Sequence, residues 1–522
     1  MDFNALGVVQ ALGGGADPAA DPGTCRVTTP GGATVDVPAF TGADGRLRAR
    51  VRHTAPGTYE FAFDGGTTTA VEVTGPPPAR RDLTVRPGER ILRDEAGEPF
   101  LWVADTWWYA FSERASGADF AALVELRRDQ GFTVVQLVAG LYPETTAFTA
   151  QAATGGRWSW TPDLGHPDPL WWDAAEERLA AVVSAGLTPA VVGAWSYYLL
   201  DLGDERIRRH WREIVARWAA LPVVWCVCGE VGLPHYDELG ADDLPERVAD
   251  LVARWSAIGA GLRALDPYRR PVTYHPCPAF RHLTTLDAVG EKAEVDLVWM
   301  QTGHADRGSV AQSLRALDRA LAAEPPLPVV NSEVCYEGIA AGSPATLQRM
   351  LFWSHVLGGA AGHTYGAQGI WAFARGRPTT PATSGARSTG PRRRGCPARR
   401  RPGSAGACWP GCAGGSTGRG RAAWHRPRPG RARSCRTAPA PRPSGSSTSP
   451  PTACATPPSA SRWSCAPSCS ASWAPARGAS TWSTRAPARS SPPTARGWTR
   501  PGSGSCPAPT SPPPFPRSRT GC

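Results

Sequence analysis

Lysine is nearly missing from this chain: Lys292 stands alone among 522 residues, against 55 arginines. Acidic residues are missing too, but only from one end. From Arg375 to Cys522 there are 25 arginines and no Asp, Glu or Lys, so the formal net charge of +11 belongs to the tail. The first 374 residues hold 31 basic and 45 acidic side chains, a net of −14. A body of that sign speaks against the nucleic-acid partner that the overall charge suggests, and the tail carries no recognisable binding module.

The last 148 residues also lack Leu, Ile, Val, Met, Asn, Gln and Tyr. They are written in Ala, Pro, Thr, Ser, Arg, Gly, Cys and Trp, with His425 and Phe515 as the exceptions. Such a stretch cannot bury enough apolar surface to offset the entropy of folding, and disorder is expected across 375–522. Those eight residue types are the ones whose codons carry G or C in the middle position. In a GC-rich gene a one-base shift turns G/C-rich third positions into middle positions, so the segment reads as a frameshift product entered between about Phe373 and Arg392. The other reading is a natural Arg/Pro-rich tail.

Nine of the 14 cysteines lie in that tail, leaving Cys25, Cys226, Cys228, Cys277 and Cys335. Five spaced thiols with no CxxC pair exclude a disulfide framework and a zinc ribbon, and suggest reduced, mostly buried side chains. No apolar run approaches the roughly 18 residues of a membrane span, and the start, MDFNALGVVQALGGGADPAA, has no basic segment before its short apolar stretch. A cytoplasmic protein with no membrane partner is expected, or a secreted one if the true start lies upstream.

Residues 24–74 alternate in short segments broken by Gly, Pro and Asp, which predicts five or six strands of an all-β, sandwich-like domain over 1–80. Gly75-Pro76-Pro77-Pro78 follows as a stiff linker. Beyond it, eight apolar runs alternate with amphipathic stretches: 99–105, 133–140, 188–195, 222–230, 270–276, 295–303, 327–334 and 359–366. Ser116 caps the first intervening helix, with Asp119 three residues on, and Gly131 ends it. Ile207, Trp211, Ile214, Val215 and Trp218 line one helical face, as do Leu314, Leu317 and Leu321. Eight strand–helix repeats over 85–374 predict an α/β fold, a (β/α)8 TIM barrel, with reactive groups at the C-terminal ends of its strands. A doubly wound sheet fits less well, because no GxGxxG follows the first strand.

In the fourth run, period-2 alternation puts Cys226, Cys228 and Glu230 on one face, with Glu230 last. In the seventh, the same rule groups Val329, Asn331 and Glu333. Two inward carboxylates at a barrel mouth are costly unless paired or used. On opposed strands they suit glycoside cleavage, where one protonates the leaving oxygen while the other attacks the sugar or activates water. Pairing with rim arginines is the plainer alternative. Glu337, one turn beyond Glu333, suits a supporting or hydroxyl-binding role.

Asp105, Trp107 and Trp108 close the first run and could bind hydroxyls and stack on a sugar, or could be a satisfied Asp beside core tryptophans. Trp195 and Trp371 also lie at strand ends, and Gln301, Tyr336 and Tyr365 complete the candidate substrate-binding set. His275, His304 and His363 follow the fifth, sixth and eighth runs, which allows a metal-dependent hydrolase. No HxH or HExxH is present, however, and sugar-hydroxyl bonding accounts for them equally, so no metal or other cofactor is expected. Cys226 and Cys228 read as lumen packing.

Four segments together, DTWW (105–108), GE (229–230), ExxYE (333–337) and FWSHVLGGAAGHTYGAQGIW (352–371), resemble the apiosidase-like glycoside hydrolases. The resemblance spans about 85–373 and implies a barrel enzyme with a retaining carboxylate pair, Glu230 as acid/base and Glu333 as nucleophile, acting on a carbohydrate. It also implies an N-terminal β-sandwich and a C-terminal β domain, the latter where the Arg/Pro tail now stands. Members often have Gly-Gly-Asp where this chain has Cys228-Gly229-Glu230, so the acid here reaches one methylene further. A catalytically inactive carbohydrate-binding barrel is the competing reading.

Overall fold

The computed structural model describes residues 2–145, 156–290 and 295–373; the expected disorder and frame change of the tail lie outside the described residues. Seven strands come first: β1 (Val8–Gly15), β2 (Thr24–Thr28), β3 (Thr34–Pro38), β4 (Phe40–Thr41), β5 (Arg46–Arg52), β6 (Gly57–Phe63) and β7 (Thr68–Val73). They form two antiparallel sheets, ordered β1-β5-β4 and β3-β2-β6-β7. Alternation sets their inner face. In β6, Tyr59, Phe61 and Phe63 are buried while Thr58, Glu60 and Ala62 are exposed, and the buried set meets Val9, Ala11, Val27 and Val37. Six of the seven strands fall in the segment where five or six were expected; β1 precedes it. A small hairpin, β8 (Leu92–Arg93) with β9 (Pro99–Phe100), leads into the barrel.

Each of the eight apolar runs carries one parallel strand, the first extending two residues past its run: β10 (Trp102–Trp107), β11 (Val134–Val138), β12 (Thr188–Val192), β13 (Val224–Cys226), β14 (Val272–Thr273), β15 (Val298–Gln301), β16 (Val329–Glu333) and β17 (Gly362–Tyr365). Their order is β14-β13-β12-β11-β10-β17-β16-β15, a nearly closed barrel open between β14 and β15. Asp296 spans that gap: its N–H donates to the Val272 carbonyl and its carboxylate accepts from the Val272 N–H, each at 2.9 Å.

Helices α1 (Gly117–Asp129), α2 (Pro169–Ser184), α3 (Tyr198–Leu202), α4 (Asp204–Trp218), α5 (Leu244–Leu265), α6 (Thr285–Val289), α7 (Gly308–Leu321) and α8 (Ala345–Leu357) lie between these strands in sequence. Ser116 Oγ accepts the Asp119 N–H at the start of α1, and Gly131 beyond its end takes a φ of 83° that a side chain would strain. The five apolar residues expected to line α4 are all buried. Among the described residues, no helix is long and apolar enough to cross a membrane.

The N-terminal sheets and the barrel form one compact unit. Arg50 of β5 grips Glu176 of α2 through two bonds of 2.7 and 2.9 Å, and Arg217 of α4 reaches the same carboxylate at 3.0 Å. Both guanidinium groups are fully buried and stack on Phe40.

Candidate active site

The fourth and seventh strands deliver the two carboxylates to one place. Past β13 the chain keeps its alternation: the Trp225 indole turns outward to Asp266 at the end of α5, while Cys226 and Cys228 are buried. Glu230 then adopts a left-handed φ of 45°, a conformation that costs energy for a side chain other than Gly or Asn and so marks the position as constrained. Its Oε2 accepts from Tyr236 Oη (2.8 Å) and Trp195 Nε1 (3.1 Å), and its Oε1 accepts from Gln301 Nε2 (3.1 Å).

Alternation fails in β16. Val329 packs on Ala316, Leu317 and Ala320 of α7, and Asn331 reaches toward His355 of α8, so both face outward. Met300 pairs with Asn331 but Gln301 pairs with Glu333, which leaves Ser332 as an extra residue, a β-bulge. The bulge turns Glu333 into the barrel on the face opposite Asn331, correcting the common face expected from period 2. Glu333 is 6% exposed; its Oε1 accepts from His304 Nε2 (2.8 Å) and from the same Gln301 Nε2 (3.2 Å). His275 Nε2 stands 3.4 Å from Oε2, too poorly aligned to bond, so Oε2 is a buried acceptor with no partner among the described residues.

Backbone donors set both histidines. The Glu230 N–H points at His275 Nδ1 (3.4 Å) and the Tyr336 N–H at His304 Nδ1 (3.3 Å), which assigns the ring protons to Nε2, toward Glu333. Burial alone would raise the Glu333 carboxyl, but His275 and His304, whose Nε2 atoms face its two oxygens, outweigh it and hold its pKa well below the ordinary range. The Glu230 carboxyl moves the other way. Burial, and then the charge of Glu333, push it up, and its own hydrogen bonds offset only part. Two neighbouring carboxylic acids with pKa values driven apart are suited to opposite protonation states.

Aromatic rings wall the pair. Trp108 meets Trp195 and His275 edge-on at 5.6 and 5.7 Å and donates to Tyr336 Oη (3.0 Å), and Trp371 lies 6.2 Å from the Tyr336 ring. Trp108, Trp195, His275, Gln301, His304, Tyr336 and Trp371 thus gather around Glu230 and Glu333. Glu337 accepts from Tyr365 Oη (2.8 Å) instead of joining them. Asp105 is fully buried, held by Arg127 of α1 (2.6 Å) and Trp107 Nε1 (2.7 Å), and Trp107 packs on Phe120 of α1, so these two serve the barrel wall. His363 faces α8, bonded to His355 and Gln348.

Two site residues escaped the sequence reading. Tyr236 opens a single 3-10 turn (Tyr236–Glu238) in the loop after Glu230, too short for any periodicity to mark it. Glu144, beyond β11, sits at the open rim with a φ of 53°; partial loss of water and then the charges of Glu230 and Glu333 push its carboxyl up. Among the described residues, no group of three or more His, Cys, Asp or Glu could hold a metal ion.

The family model described as "Apiosidase-like, catalytic domain" matches residues 86–394. No curated protein matches the sequence. Among solved structures, a family 5 glycoside hydrolase of Bacteroides vulgatus ATCC 8482 is 20% identical with a TM-score of 0.43, over 56% of this chain. The chain thereby spans 64% of that protein's length. A second protein of the same organism, provisionally assigned as a glycoside hydrolase, is 16% identical with a TM-score of 0.51, over 69% of this chain and 71% of its own. The endo-1,4-β-D-mannanase of Thermotoga petrophila RKU-1 is 14% identical with a TM-score of 0.37, over 51% and 88%. At such identities the likeness is one of fold.

Proposed function

The chain belongs to the apiosidase-like family of glycosidases, and on that premise we propose that it cleaves a glycosidic bond by a retaining mechanism, with Glu333 as nucleophile and Glu230 as acid/base. The observation that carries this reading is the shared donor. Gln301 Nε2 bonds to an oxygen of each carboxylate, at 3.1 and 3.2 Å. Those two oxygens can be no further apart than the two bonds laid end to end, which falls short of the roughly 6.5 Å at which inverting pairs begin. An inverting enzyme must seat a water between its base carboxylate and the sugar, and a pair tied to one amide nitrogen favours direct attack instead.

In this reading Glu333, kept ionised by the two histidines that face it, attacks the anomeric carbon through Oε2, the oxygen without a hydrogen-bond partner among the described residues. Glu230, kept protonated, gives its proton to the departing oxygen, and the bond between sugar and leaving group breaks as the bond to Oε2 forms. The resulting Glu230 carboxylate then takes a proton from water, which displaces Glu333 and frees the sugar. Trp108, Trp195, Tyr336 and Trp371 supply apolar walls for the sugar faces, and the Gln301 carbonyl, buried without a partner among the described residues, can accept a sugar hydroxyl. Carbohydrate is the partner this reading calls for.

Proton NMR of the first-formed product tests this on the full chain and on the chain with its frame restored. Retained anomeric configuration is expected. An inverted product, or binding of oligosaccharides without any turnover in either form, overturns it.

A further inference from the structure

The GHTYG segment that marks the eighth strand puts its histidine outside the barrel, and the reason lies in a buried hydrogen-bond chain between α8 and the end of β16. Gln348 of α8 is 4% exposed and spends both amide hydrogens on backbone: Nε2 donates to the carbonyls of Val334 (2.9 Å) and Cys335 (2.7 Å). These are the two residues immediately after Glu333. Cys335 takes a left-handed φ of 43° there, and the turn aims the next N–H, that of Tyr336, at His304 Nδ1. His304 in turn donates to Glu333 Oε1 (2.8 Å).

With its nitrogen fully used, Gln348 must present Oε1 as an acceptor. His363 Nε2 lies 3.1 Å away and so carries the proton that fixes the amide. A neutral His363 then accepts at Nδ1, and His355 Nδ1, 3.0 Å distant, supplies that hydrogen. His355 Nε2 is left as an acceptor facing Ser313 Oγ (3.1 Å) and Asn331 Nδ2 (3.5 Å). Ser313 Oγ also stands 3.0 Å from the Val310 carbonyl, so its hydrogen has two acceptors to choose from, but each ring proton of the two histidines has one place. The groups facing the two rings are Ser313 from α7, Asn331 from β16, and Gln348 and Phe352 from α8; no carboxylate is among them. Burial lowers both histidine pKa values, His355 to about 4, which keeps the pair neutral.

We propose that Gln348, oriented by the His355–His363 pair, is a positioning residue for Glu333: it clamps the backbone that presents Tyr336 N–H to His304, and His304 to the nucleophile. The inference rests on the reading of Glu333 as nucleophile. Flipping or removing the amide loosens the turn, so His304 no longer donates squarely and Glu333 loses its shortest hydrogen bond.

The test has two parts. Nitrogen-15 NMR of the histidine rings in the intact chain should show His363 protonated at Nε2 and His355 at Nδ1; His363 protonated at Nδ1 contradicts the wiring without need of any variant. In kinetics, Gln348→Met should lower kcat by roughly 10- to 100-fold at little change in KM, since small displacements of reacting groups cost on that order. It should also move the acid limb of the pH profile upward, because Glu333 ionises less readily without its donor. His363→Leu should behave likewise, whereas His363→Gln, which keeps a donor near the Nε2 position, should restore the acid limb. A Gln348→Met enzyme whose acid limb is unmoved overturns the proposal while Glu333→Ala remains inert. Should the acid limb move as expected but Glu333→Ala stay active, it is the nucleophile assignment that fails.

Discussion

Gly229 leaves no room for a side chain against Trp195: a β-carbon there would lie 2.1 Å from Cε3 of the indole. The ring fills that space, and from there its Nε1–H reaches Glu230 Oε2. Gly229→Ala must therefore displace the indole and release one of the donors that hold the acid. We expect kcat/KM to fall by at least about 10-fold on substrates with poor leaving groups, and far less on aryl glycosides whose phenolate departs without a proton. Steady-state kinetics across a leaving-group series measures this; an equal loss on all substrates would count against a role through Glu230.

The pH dependence follows from the two opposed shifts. Activity needs Glu333 ionised, so it is lost as pH falls through a pKa held below the ordinary carboxylate range. It also needs Glu230 protonated, so it is lost as pH rises through a pKa held above that range. A bell-shaped profile results, with limbs belonging to the coupled pair. In Glu333→Gln the charge that raises Glu230 is gone, and infrared titration of the remaining carboxyl should find it at lower pH than in the parent. A Glu230 titration that stays in place contradicts the coupling.

The buried ion cluster between the N-terminal sheets and the barrel predicts a stability effect far from the chemistry. Glu176 pairs with both Arg50 and Arg217, each fully buried, and Arg217 also meets Asp173 and Glu213. Removing it in Glu176→Ala leaves the buried Arg50 with no carboxylate partner among the described residues, while Arg217 keeps Asp173 and Glu213, a loss on the order of 3–5 kcal/mol. Urea unfolding followed by tryptophan fluorescence would show it as a drop in midpoint; a loss below about 1 kcal/mol would mean that water screens the cluster.

The barrel was legible because parallel strands covered on both faces leave short apolar runs, and each of the eight runs holds a strand. The Glu230 end was legible too, because the chain keeps its alternation through β13 and on to Cys228. Glu333 was found by the right rule applied to the wrong face, since a bulge at Ser332 leaves no mark in the sequence. Asp105 and His363 share their composition with site residues, and only the partners Arg127 and Gln348, brought near by α1 and α8, separate them. Tyr236 and Glu144 sit in loops, where side-chain direction follows from tertiary packing and has no period to read.

The assignment of roles is tested most directly by the configuration of the glycosyl azide that Glu230→Ala forms from an activated aryl glycoside in the presence of azide. If Glu333 is the nucleophile, the variant still forms the covalent glycosyl-enzyme, azide displaces it, and the product keeps the configuration of the substrate. An azide product of inverted configuration would mean that Glu230 was itself the nucleophile, and would contradict the account.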